Sequence, residues 1–106
     1  MTTILLSAAG APGAARLIRA LKDNGERETR VVGTDMNPES IGAHLCDAFH
    51  VVPAGSDPAY PDAILELVER ERVDVVLPQS SFDLDALSGR RGEWLVHLAN
   101  DRIDLA

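Results

Sequence analysis

The sequence predicts an α/β fold, an open parallel sheet with helices on both faces, and three observations carry that prediction. An apolar strand, Ile4-Leu5-Leu6, runs into the small-residue turn Ser7-Ala8-Ala9-Gly10-Ala11-Pro12-Gly13. That turn opens an amphipathic segment with Ala14, Leu17, Ile18 and Leu21 on one face, and a second apolar strand follows, Val31-Val32-Gly33-Thr34-Asp35. Strand-like and helix-like periods then alternate along the rest of the chain, so each strand reaches the next through a crossover, and crossovers of this kind make a parallel sheet.

The elements follow in order. The first strand covers Thr3 to Ser7, and its helix stops near Asn24-Gly25, because glycine takes the left-handed conformation of a helix end at little cost. The second strand ends at Asp35. Asn37-Pro38 breaks the chain, Glu39 to Cys46 has room for a short helix only, and Phe49 to Val52 form a third strand that Pro53 terminates. Ser56-Asp57-Pro58 offers a helix start, and Pro61 offers a later one. Ile64, Leu65, Leu67 and Val68 then make a broad apolar stripe, with Glu66, Glu69, Arg70 and Glu71 on the solvent side. Val73 to Leu77 read as a buried strand ending at Pro78, and a helix runs from Asp83 to about Arg91 with Leu84 and Leu87 inward. Trp94 to Leu98 fit a fifth strand or a helical continuation equally well, since periodicity does not choose between them.

Bulk properties exclude several classes. A chain of 106 residues holds one core and no separate catalytic domain. With 17 acidic against 10 basic residues the net charge is -7, which argues against nucleic acid and anionic membranes as partners, since both demand clustered Lys and Arg. Cys46 is the only cysteine and forms no internal disulfide. A reducing, cytoplasmic setting is therefore the expectation, and neither a signal peptide nor an apolar run of about 18 residues is present to oppose it.

Four groups of residues bear on chemistry. In the first turn Gly10 and Gly13 occupy two of the three glycine slots of a dinucleotide fingerprint, and Pro12 removes an N–H donor. The turn serves either as an anion cradle or as a purely structural bend. Asp35, at a strand end, has the position of a ribose-binding acid and equally that of a cap for the helix after Pro38. His44, Cys46, Asp47 and His50 are metal-ligand types, but a helix-to-strand passage splays them, so no metal site is assigned. The loop Gln79-Ser80-Ser81-Phe82-Asp83 follows the carboxyl end of a strand, where open α/β sheets bind ligands, although Ser81 also suits a helix cap. No nucleophile–base pair or carboxylate pair with readable geometry is present, and no catalytic residue is assigned.

Taken together, four segments resemble the N-terminal, pre-ATP-grasp domain of carbamoyl-phosphate synthase large-subunit-like ligases. They are Ile4 to Gly13, Val31 to Pro38, Leu45 to Pro53, and Asp74 to Pro78 running into Phe82-Asp83-Leu84. The second is similar to the family's "G-x-D-x-x-P" strand end and the third to its "A-D-x-x-x-V-P" pattern, with Cys46 in the small-residue slot and four residues in place of three between Asp47 and Val52-Pro53. Asn100-Asp101-Arg102 resembles the "N-D-K" that opens the ATP-grasp domain, with Arg102 in place of the lysine. The resemblance implies a single Rossmann-like domain over residues 1–106, in which Asp35 and the loop from Gln79 to Asp83 line a cleft facing the ligase active site. It also implies that ATP and Mg belong to an ATP-grasp domain outside these residues, so this chain has no cofactor of its own and is not catalytic alone. A small-molecule carboxylate or amine is the implied substrate. The ligand-binding candidates are therefore Gly10, Pro12, Gly13, Asp35, Gln79, Ser80, Ser81 and Asp83. Two alternatives stand beside this reading. One is a free-standing Rossmann-like nucleotide or dinucleotide module, resting on Gly10, Gly13 and Asp35. The other is self-association as a two-fold homodimer through Trp94, Leu95, Val96 and Leu98, the surface a following lobe would otherwise cover.

Overall fold

In a computed structural model, residues 2–10, 13–23, 28–79, 81–88 and 104–105 are described. Five parallel strands form one sheet: β1 (Thr2–Leu6), β2 (Thr29–Asp35), β3 (Ala48–Val51), β4 (Val75–Leu77) and β5 (Asp104–Leu105), in the order β3-β2-β1-β4-β5. The helices among the described residues are α1 (Ala14–Lys22), α2 (Tyr60–Glu71) and α3 (Ser81–Ser88), with a 3-10 turn at Ile41–His44. This is the predicted α/β, Rossmann-like architecture.

The pleat of β1 shows how the two layers arise. Successive strand side chains point to opposite faces. Leu5 therefore joins Tyr60, Ile64, Val68, Val76 and Leu87 beneath α2 and α3, while Leu6 joins Ile18 and Val31 beneath α1. Both leucines are fully buried, and the sheet is covered on each side as a parallel sheet requires. No helix among the described residues is long and apolar enough to cross a membrane.

Several boundaries differ from the sequence expectation, each for a local reason. Pro61, not Pro58, marks the start of α2. Asp57 folds the chain into a turn first, its Oδ1 accepting from the Ala59 N–H and its carbonyl from the Tyr60 N–H. Strand β4 begins at Val75 rather than Val73, because the Val73 N–H closes the end of α2 on the Val68 carbonyl. Asp74 instead clamps the start of β1, its carboxylate accepting from the Thr3 N–H at 2.8 Å. Helix α1 ends at Lys22, and its expected stop, Asn24-Gly25, lies outside the described residues. Helix α3 opens at Ser81, two residues before the expected Asp83.

Two side-chain assignments are corrected. Leu84 is exposed, and Leu87 alone of the expected pair is buried, because α3 turns the Asp83/Leu87 face inward. Glu71 is not on the solvent side. Its carboxylate accepts from Arg30 at 2.9 Å and lies 3.5 Å from His50 Nε2, and the Arg30 hydrogen bond holds it below the usual glutamate range. Cys46 packs under Gly33, where a β-carbon would stand 2.5 Å from its sulfur. Burial, then the neighbouring Asp47 charge, push its thiol up to about 11, which makes it inert packing. Asp47 itself binds Lys22 and the Val31 N–H, and these contacts outweigh burial and hold its carboxyl low.

Candidate functional site

Ligands bind to open α/β sheets at the carboxyl ends of strands, near the point where strand order reverses. Here that point lies between β1 and β4, and Ser7 closes it. The Ser7 N–H donates to the Leu77 carbonyl at 3.1 Å, and its Oγ accepts from the Gln79 N–H at 3.0 Å. The open space is therefore displaced toward the ends of β1, β2 and β3. It is a cleft of about 460 Å3, lined by Ala8, Gly10, Thr34, Asp35, Met36, the Val52–Ser56 loop, Tyr60 and Asp83. That volume falls within the range of small-molecule sites.

The turn after β1 lies tightly against its neighbours. Ala8 adopts a positive φ of 50°, uncommon for a residue with a β-carbon. The Ala9 N–H donates to the Thr34 carbonyl at 2.9 Å, and the Gly10 N–H to Asp35 Oδ2 at 2.9 Å. A β-carbon at Gly10 would stand 2.6 Å from Ser40 Oγ, so a larger residue there would displace the hydroxyl that accepts from the Gly42 N–H. The N–H groups of Ser7, Ala9 and Gly10 are thus spent inside the protein, and a phosphate at this turn would find none of them free.

Asp35 does not cap the short helix after Pro38. Its second oxygen, Oδ1, accepts from the Asn37 N–H at 2.9 Å, while Ser40 caps the 3-10 turn by accepting from the Gly42 N–H. Asp35 is a staple between two loops, because a short acidic side chain at a strand end reaches both backbones at once. Its charge still faces the cleft.

Asp83 supplies the second carboxylate. Strand β4 and the start of α3 carry it inward until it is 7% exposed. Burial pushes its carboxyl above the ordinary value of 3.8, and the Asp35 charge adds to that, against the opposing pull of Ser7 and Tyr60. Burial and the Asp83 charge likewise push the Tyr60 hydroxyl up. A carboxyl whose folded pKa is raised is most stabilising below its unfolded value, and that contribution is lost as pH rises through the folded value. Asp83→Asn should therefore gain on wild type as pH rises from about 3 to about 7, measured as the urea midpoint. A difference that stays constant with pH would contradict the raised carboxyl.

The structure brings Gly10, Asp35 and Asp83 to one cleft. Gln79 stands beside it with its N–H on Ser7, and it is not part of the lining. Gly13 is outside the cleft, as the left-handed N-cap of α1 with φ 86°. Ser81 contributes the first residue of α3. Pro12 and Ser80 lie outside the described residues, as do Trp94 to Leu98 and Asn100 to Arg102. Sequence reasoning missed Thr34, Tyr60 and the loop Val52–Ser56. The signal for that loop was present, since it too follows the carboxyl end of a strand, and Tyr60 opens the helix just beyond it.

Comparison with known proteins agrees with this architecture. The biotin carboxylase subunit of pyruvate carboxylase is 25% identical over 77% of this chain, with a TM-score of 0.57. A branched-chain phosphotransacylase from Enterococcus faecalis V583, 20% identical over 82% of the chain with a TM-score of 0.57, shares the fold. So does dTDP-glucose 4,6-dehydratase from Bacillus anthracis str. Ames, solved in complex with NAD, at 10% identity over 99% of the chain and a TM-score of 0.60. The chain spans 18%, 32% and 36% of these three proteins respectively. No curated protein matches it. The model of the PylC-like N-terminal domain matches residues 4–96, and with the biotin carboxylase neighbour it supports a domain of the ATP-grasp-associated kind. On that match, which runs over most of its length, the chain belongs to the PylC-like N-terminal domain family.

Proposed function

We propose that this domain forms one wall of the substrate cleft in an ATP-dependent carboxylate–amine ligase resembling carbamoyl-phosphate synthase, and that it is not catalytic alone. ATP and Mg, held by the partner ATP-grasp domain, supply the activation of a carboxylate for attack by an amine. This chain's share is to bind and orient the amine-bearing molecule. One observation carries that assignment: the cleft lining holds the carboxylates of Asp35 and Asp83 and, among the described residues, no Lys, Arg or His. Two anionic groups facing a partly enclosed space favour a cationic occupant, and a carboxylate substrate would meet repulsion there.

The dinucleotide reading has less support. It needs backbone N–H donors at the first turn, and those of Ala9 and Gly10 are occupied. The cleft also offers no cation for the phosphates of ATP, and no cluster of three or more His, Cys, Asp or Glu among the described residues could hold a metal ion.

ADP release separates the possibilities. The 106-residue chain by itself is expected to hydrolyse no ATP above background, and activity should emerge only when the domain is joined to an ATP-grasp domain. Steady ADP release by the chain alone, abolished by Asp83→Asn, would overturn the proposal.

A further inference from the structure

The inner end of the cleft contains two polar atoms that the fold leaves without use. Thr34 is fully buried and Tyr60 is 2% exposed, and neither Thr34 Oγ1 nor the Tyr60 hydroxyl has a hydrogen-bond partner among the described residues. The Ser7 hydroxyl and the Asp83 carboxyl stand near enough to the Tyr60 hydroxyl to act on its titration, but neither reaches it with the geometry of a formed hydrogen bond. A buried hydroxyl left unpaired is costly, and two of them belong to the lining of one cleft. Both residues line the cleft, together with the buried carboxyl of Asp83.

We propose that Thr34 Oγ1, the Tyr60 hydroxyl and the Asp83 carboxylate form a closed subsite for a protonated primary amine. An ammonium carries three N–H donors and no acceptor, and it meets here two unpaired hydroxyl oxygens and one carboxylate. Its single positive charge also offsets the repulsion between the like charges of Asp35 and Asp83, which line the same cleft. The wider lining, Ala8, Met36, Val52 and Pro53, is apolar and suits an aliphatic stem. Guanidinium is a poorer match, because its five donors spread in a plane and three clustered acceptors leave some of them unpaired.

The depth of the subsite assigns this amine a role. Thr34 and Tyr60 are closed off inside this domain, so a group seated on them is out of reach of a carboxylate activated on another lobe. The seated ammonium is therefore an anchor, and the reacting group stands at the other end of the stem, toward the cleft mouth. This orientation rests on the ligase reading given above. Binding of the amine itself does not.

Titration of the 106-residue chain with pentylamine, followed by amide chemical shifts, tests the subsite. Saturable shifts centred on Thr34, Tyr60 and Asp83 are expected, and 1-pentanol should produce none at the same concentrations. Tyr60→Phe and Thr34→Val should each weaken pentylamine binding by about tenfold or more, as loss of a hydrogen bond to a charged group does. Both variants should leave the melting temperature unchanged or raised, because each deletes an unpaired buried hydroxyl. A structural role for these hydroxyls predicts the reverse, lower melting with unaltered binding. Absence of saturable shifts, an equal response to pentanol, or retained binding in both variants would overturn the subsite. Binding to this chain combined with no amine dependence in the joined ligase would leave the subsite standing and overturn only the ligase reading.

Discussion

Gly42→Ala should be the most damaging small substitution among the described residues, costing about 3 kcal/mol or more of stability. A β-carbon at Gly42 would stand 2.4 Å from the Ala9 carbonyl oxygen, 2.5 Å from its β-carbon and 2.8 Å from its carbonyl carbon. Two of these atoms are backbone, so no rotamer change relieves the clash. Ala9 is held in turn by its N–H bond to the Thr34 carbonyl, and Ala8 already has positive φ. The displacement therefore passes into the cleft lining at Ala8, Gly10 and Thr34. Gly33→Ala provides the comparison: its first obstacle is Cys46 Sγ at 2.5 Å, a side-chain atom that can rotate away. Urea denaturation should rank the two, with Gly42→Ala the lower midpoint, and equal midpoints would show that the turn yields more easily than its contacts imply.

Asp35→Ala is the second large effect expected, with about 2 kcal/mol lost. It removes two hydrogen bonds to a charged acceptor, from the Gly10 N–H and the Asn37 N–H, and water replaces them because both are exposed. The local readout is sharper than the global one. Hydrogen exchange at Gly10 and Asn37 should accelerate well beyond that at core amides such as Leu5, as the two loops are no longer stapled. The Asp83 carboxyl should also titrate closer to 3.8, since the Asp35 charge is one of the causes that raise it. An Asp83 titration unmoved by Asp35→Ala would separate the two carboxylates and weaken the case for a shared cationic occupant.

The contrast between these residues shows what a sequence discloses. Ile4-Leu5-Leu6 and Val31 to Asp35 were legible as strands, and the alternation after them as a parallel sheet, because burial on both faces writes itself as continuous apolar runs. The 3-10 turn fell inside the predicted short helix between Pro38 and the third strand. Boundaries moved where a single backbone bond decided them, as at Val73 and Tyr60. Leu84 was misplaced because α3 is short, and eight residues leave the inward face poorly determined by period alone. Asp35 was legible as important and illegible in role, since its partners, Gly10 and Asn37, lie on different loops. Thr34 and Tyr60 carry no motif. They matter only because strand end and helix start converge in space, and because the fold leaves both hydroxyls unpaired there. Gly42 was invisible for the same reason, its constraint being a neighbour 33 residues away in the chain.

Amine-dependent ADP release by the domain joined to an ATP-grasp domain, wild type against Asp83→Asn, tests the central claim most directly. The account predicts that release requires both a carboxylate and a primary amine. It further predicts that Asp83→Asn raises the amine concentration needed by about tenfold or more, with the ATP requirement unchanged, because this chain orients the amine and does not bind the nucleotide. Release that is indifferent to amine, or an Asp83→Asn variant that alters the ATP requirement and leaves the amine requirement untouched, would contradict it.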